Sequence, residues 1–168
     1  DYSKSKEQSP KNDIDIISGC SLYISNGGGP EAIAIASRRN IIKINQVPIG
    51  DELHYPLGLW LPKIHIDNKS GNYLSLEEIC RLNLHKAFKS KYYSDLNIEL
   101  VENTDEEILE IFKDYIKYKS QSFTHNDIRL IKKYQIKRAI IANKYNTLID
   151  SLNFIAPSFL RKYKNLLD

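Results

Sequence analysis

The sequence predicts an α/β fold, a small parallel sheet flanked by helices, and three observations predict it. Residues 20–45 run strand, glycine loop, helix, strand, the succession of a parallel βαβ unit. The helix between those strands, residues 31–37, is built almost wholly from Ala and Ile, a composition suited to close packing on a sheet. Finally, two capping boxes and apolar residues at 3.6-residue spacing place helices through the second half. With 168 residues and 42% hydrophobic content, the chain has about one domain's worth of core-forming material. Charged residues make up 27% and mean hydropathy is −0.43. No apolar run approaches the ~20 residues of a membrane-spanning helix.

Taken in order, residues 1–12 are polar, contain Pro10, and read as a connecting loop. Residues 13–19 read as a short helix closed by Gly19, followed by a strand around Leu22, Tyr23 and Ile24. Asn26, Gly27, Gly28 and Gly29 then break the strand, and Pro30 suits the first turn of the next helix. Residues 40–45 form the second strand. From 46 to 73 no period is visible, and Pro48, Gly50, Pro56, Gly58, Pro62 and Gly71 mark a long irregular segment. Ser75 with Glu78, and Thr104 with Glu107, have capping-box spacing and open helices on either side of a strand at 97–101. In the second of these helices Ile108, Ile111, Phe112 and Tyr115 share a face. A helix of about 25 residues is expected from Thr124, with Ile141, Tyr145, Leu148 and Leu152 as its apolar stripe, and a last short helix follows Pro157.

Chemistry concentrates at the glycine loop. Glycines between a strand and a helix let the backbone approach an anion while unpaired N–H groups at the helix start point toward it. Ser25, Asn26, Gly27, Gly28 and Gly29 are therefore candidates for holding a diphosphate. The same pattern also serves a tight turn with no ligand. Walker spacing is absent, as is G-x-G-x-x-G with a downstream acid, which argues against ATPase and dinucleotide-binding readings. Glu31, in the first helical turn, would repel a phosphate placed against it, so its expected roles are capping or accepting sugar hydroxyls. Open α/β sheets bind ligands beyond the carboxyl ends of their strands. Asn45, Gln46, His54 and Tyr55 follow the second strand and are candidates to line that cleft, with Lys63 a candidate to neutralise phosphate charge.

No metal is expected. The four histidines lack metal-ligand spacing, and Asp13 with Asp15 fall in a helical turn, where alternate residues diverge. Cys20 and Cys80 stand apart, which fits a reducing compartment better than a disulfide scaffold. Charge is uneven: the first 84 residues carry 9 Lys and Arg against 10 Asp and Glu, and the remainder 15 against 11. Residues 119–144 hold seven basic residues opposed only by Asp127, a solvated face or a surface for anions.

Segments 1–5, 15–29, 45–50, 61–63, 73–78, 98–104 and 155–160, in their order and spacing, resemble the C-terminal portion of a family of bacterial glycosyltransferases. That family is associated with surface-polysaccharide and lipopolysaccharide gene clusters and has a GT-B type architecture; residues 117–153 share only helical character with it. The resemblance implies a Rossmann-like donor-binding half of a two-domain enzyme that works without bound metal or other cofactor. It places the glycine loop on the diphosphate of a nucleotide sugar, and Pro48, Gly50, Pro62 and Lys63 in the loop that follows. The triple glycine departs from the family's more usual mixture of hydroxyl residues and glycine, which leaves the phosphate contact to backbone amides.

On this reading residues 1–12 are a linker, 13–119 the donor-binding domain and 120–168 a C-terminal helical extension. The implied partners are a nucleotide-sugar donor, a glycan or lipid-linked acceptor and a preceding N-terminal domain; no nucleic acid is expected. The absence of methionine and the opening Asp1, Tyr2, Ser3 fit a portion of a longer protein, inactive alone. Its expected place is the cytoplasm, peripheral at the inner face of the membrane. No residue is assigned as catalytic base. The alternatives are an enzyme resembling sugar-nucleotide epimerases, and a non-catalytic module that binds an anionic surface through the basic helix.

Overall fold

Four parallel strands form the central sheet in the order β1 (Leu22–Ser25), β2 (Asn40–Gln46), β3 (Gly58–Pro62) and β7 (Phe154–Ile155). The computed structural model of the chain describes residues 2–50, 58–145 and 154–167. α1 (Pro10–Gly19) precedes β1, and α2 (Gly29–Ala36) connects β1 to β2. A second, antiparallel sheet has β4 (Ile64–Asp67) between β5 (Asn72–Tyr73) and β6 (Ile98–Val101). The remaining helices are α3 (Leu76–Arg81), α4 (Ser90–Asp95), α5 (Asp105–Lys119), α6 (His125–Tyr145) and α7 (Pro157–Lys162).

The expected βαβ unit is present: Leu22 to Ser25 pair in parallel register with Asn40 to Lys43. α2 packs on β1 and against α1, while α5 lies along β2 and β3. The first helix starts earlier than expected because Ser9 accepts the Asn12 N–H and Pro10 sits in the first turn, so part of the expected linker is helical. Both capping boxes form as read, at Ser75 with Glu78 and Thr104 with Glu107.

Two expectations fail. The irregular stretch 46–73 contains β3, β4 and β5. β3 reads Gly58, Leu59, Trp60, Leu61, Pro62 and is buried at its last four positions, because it lies between β2 and β7 and is covered on both faces. A strand of that kind has no alternation to reveal it. Trp60, 3% exposed, anchors this strand in the core. Residues 120–168, expected as a helical extension, supply β7 to the parallel sheet, and Tyr134, Ile141, Phe159 and Leu160 join the same core as Ile42, Leu59 and Leu61.

The helix faces also differ. α5 buries Glu107, Ile111, Asp114 and Tyr115, leaving Phe112 40% exposed. The two acids turn inward because α7 satisfies them: Ser158 N–H donates to Asp114 Oδ2 at 2.8 Å, and Lys162 and Tyr163 donate to Glu107 Oε1. α6 buries Asp127, Ile131, Tyr134, Arg138 and Ile141. Asp127 accepts from Thr124 and Arg161. Leu148 and Leu152 lie outside the described residues.

Among the buried polar groups is His65, on β4, 2% exposed, with its ring 5.7 Å from that of Tyr93. Its Nδ1 donates to the Lys63 carbonyl at 3.1 Å, and Nε2 has no partner among the described residues. Burial pushes the imidazole down from 6.5 to about 4, the carbonyl contact only partly opposing the effect. The unfolded chain therefore takes up this proton at a higher pH than the folded one, and stability is lost as pH falls from 6.5 to about 4. For Glu107, burial works to raise the carboxyl, but the bonds from Lys162, Tyr163 and the Thr104 N–H hold it below its ordinary 4.5. Its contribution is present above that value and is lost only at more acidic pH. Thermal melts between pH 7 and pH 4 are expected to show a falling Tm, with His65→Phe removing much of the slope above pH 4.5; an unchanged slope in that variant would dismiss His65 as its source.

Candidate functional site: a cleft at the glycine loop

β1 ends on Ser25, 6% exposed, whose Oγ accepts the Gly27 N–H at 2.9 Å. This bond folds the loop back over the strand end. Gly27 and Gly28 take φ of 95° and 113°, and Gly28, with ψ 176°, lies in backbone space that is essentially reserved for glycine. α2 starts at Gly29, with the Gly28 carbonyl accepting the Glu31 N–H at 3.1 Å and no side chain capping the end. The N–H groups of Gly28 and Gly29 make no hydrogen bond among the described residues. Two amides of the loop are thus unpartnered, and that of Gly27 is already engaged.

A cleft of about 400 Å³ opens beside this loop, lined by Asn26, Gly27, Gly28, Glu31, Lys43 and Gln46 and walled by Ala32, Ile35, Val47 and Phe88. It sits at the carboxyl ends of β1 and β2, where α/β sheets hold their ligands. Glu31 is 3% exposed and pairs through Oε1 with Lys43 Nζ at 3.2 Å, the lysine side chain being 13% exposed. The Glu31 Oε2 atom is buried without a hydrogen-bond partner among the described residues. An orphaned carboxylate oxygen beside a cleft is a strong acceptor waiting for a donor, since desolvating it unpaired is unfavourable. Gln46, 5% exposed, donates to the Pro48 carbonyl at 3.4 Å.

The expected site residues therefore divide. Asn26, Gly27, Gly28, Glu31 and Gln46 come together at the cleft, and Gly29 begins the adjoining helix. Ser25 does not line it; its hydroxyl shapes the loop. Asn45 does not line it either. It has φ 54°, and its backbone N–H and side-chain Oδ1 exchange 2.6 Å bonds with Asn103, which also donates to the Pro62 carbonyl. That side chain is spent joining the ends of β2, β3 and β6, and asparagine suits the left-handed backbone there. Lys63 Nζ reaches Glu102 at 3.0 Å, away from the cleft, while its N–H donates to the Gln46 carbonyl. Gly50 earns its place by close approach, since an added Cβ would fall 2.3 Å from the His85 carbonyl oxygen. His54 and Tyr55 lie outside the described residues.

Two cleft residues carry no local signal in the sequence. Lys43 points from β2 toward α2, a relation set only by strand pairing. Phe88, 70% exposed, lies between a 3₁₀ turn at Leu84–Lys86 and α4, far along the chain from the loop it faces.

Among the described residues no group of three or more His, Cys, Asp or Glu is placed to hold a metal ion, and no helix is long and apolar enough to cross a membrane. Compared with protein-family models, curated proteins and solved structures, the chain matches none.

Proposed function

We propose that this chain is the donor-binding portion of a GT-B type glycosyltransferase, which holds a nucleotide sugar in the glycine-loop cleft. The observation that carries the reading is that the unpartnered Gly28 amide and the buried, half-satisfied Glu31 carboxylate meet at one cleft, with the unpartnered Gly29 amide next to it at the start of α2. Amides and the α2 N-terminus suit a diphosphate, and the free carboxylate oxygen suits a hydroxyl donor; a nucleotide sugar has both groups side by side. Lys43 keeps the carboxylate from opposing the anion by pairing with it. Phe88 at the rim offers a face on which a base can stack.

In glycosyl transfer the nucleoside diphosphate departs as charge develops on its phosphate oxygens. Donors already aimed at that position lower the barrier without reorganising. Gly28 and Gly29 N–H supply that stabilisation here, and the base that activates the acceptor belongs to another part of the enzyme.

Nucleoside diphosphates are expected to raise Tm by roughly 5–11 °C at a hundredfold excess over Kd, and the parent nucleosides by much less. Absence of any shift across the common bases would overturn the reading. Glu31→Gln should weaken nucleotide-sugar binding roughly tenfold, by loss of one charge-assisted bond, while binding of the free diphosphate holds. Isomerisation of a nucleotide sugar without acceptor would instead mark an epimerase.

A further inference from the structure

The outward face of α6 takes no part in the cleft or the core. Its buried stripe is Asp127, Ile131, Tyr134, Arg138 and Ile141, so the opposite face looks away from the protein. On that face Ile136 and Ile140 are 62% and 61% exposed. Arg129 and Lys132 are exposed beside them, whereas Lys144, at the end of the helix, is paired with Glu77. The only acid of the helix, Asp127, is 2% exposed and turned inward to Thr124 and Arg161. The face is therefore cationic at Arg129 and Lys132, with large aliphatic side chains set beside those charges.

We propose that this face seats the protein on an anionic lipid bilayer. Charge complementarity selects an anionic partner. The isoleucines select among anions: a nucleic-acid backbone gives them nothing to bury against, whereas a bilayer interface accepts aliphatic side chains below the headgroups and lysines at their level. Arg129 to Ile140 span about 17 Å of helix, a length over which a fluid surface can meet both side-chain types without a shaped pocket. The contact is peripheral and electrostatically assisted, and it does not depend on what occupies the cleft.

Co-sedimentation of the whole chain with vesicles tests it, using phosphatidylcholine alone and phosphatidylcholine with one-third phosphatidylglycerol. Binding is expected only to the anionic vesicles and should fall steeply with added salt. Arg129→Glu with Lys132→Glu should reduce partitioning at least tenfold. Ile136→Ser with Ile140→Ser should also lose most of the binding. All four positions are exposed, so an unchanged melting profile confirms that each variant is folded. Failure of the native chain to bind anionic vesicles overturns the proposal. So does full retention by the isoleucine variant, or binding of a single-stranded oligonucleotide, unaffected by the isoleucine changes, in place of vesicles.

Discussion

Gly28→Ala is expected to abolish the thermal shift produced by nucleoside diphosphates, while Gly29→Ala leaves it intact. The two glycines are neighbours, and neither site is crowded, since an added Cβ meets nothing within 4 Å at either. Their backbones differ. Gly28 holds φ 113° and ψ 176°, a conformation that costs a side-chain-bearing residue about 1–3 kcal/mol. Alanine there would rotate the peptide out of place and carry the Gly28 N–H away from the cleft where the diphosphate is proposed to bind. Gly29 is the first residue of α2 and has no positive φ, so alanine keeps its amide where it is. Melting with and without nucleotide reads both effects. Gly28→Ala should lower the unliganded Tm by roughly 2–12 °C and remove the ligand response. A full response in that variant would take the loop out of the site.

The largest loss of stability is expected from Phe159→Ala, at about 3–5 kcal/mol, or roughly 6–20 °C in Tm. Phe159 on α7 is 2% exposed, belongs to the same core as β2 and β3, and packs at a tilt against Tyr163 with ring centroids 4.5 Å apart. α7 is tied down by acids from two helices, Asp114 and Glu107 on α5 and Asp127 on α6. Truncation in this cluster should therefore lower one cooperative transition for the whole chain. A separate low-temperature step confined to residues after 120, seen by hydrogen exchange or limited proteolysis, would restore the picture of an independent extension.

Local chemistry was legible at this sequence's punctuation marks. Ser75 and Glu78, Thr104 and Glu107, Pro30, Gly27 and Gly28 each act on atoms within four residues, and the structure uses them where the sequence places them, while Gly29 becomes the first residue of α2. The hydroxyl that holds the Gly27 amide is two residues from it in the chain, yet Ser25 reads as a ligand contact because sequence does not say whether a hydroxyl will bond its own loop or a ligand. Asn45 read as a cleft residue for a similar reason. Its partner, Asn103, is 58 positions away, and only the meeting of β2 with β6 and α5 brings them to 2.6 Å.

What the sequence by itself determined is the βαβ start, the glycine loop that follows the first strand, and the helices with their own caps, because those depend on backbone sterics and nearest-neighbour hydrogen bonds. Only the tertiary structure decided that β3 is a central strand, that β7 closes the sheet, that Glu107, Asp114 and Asp127 face inward, and that Lys43 meets Glu31 beside Phe88. Each of these turns on a partner distant in the chain. An acid in a buried position or a strand apolar on both faces breaks the periodic rule unless the group it satisfies, or the layer that covers it, is already in place.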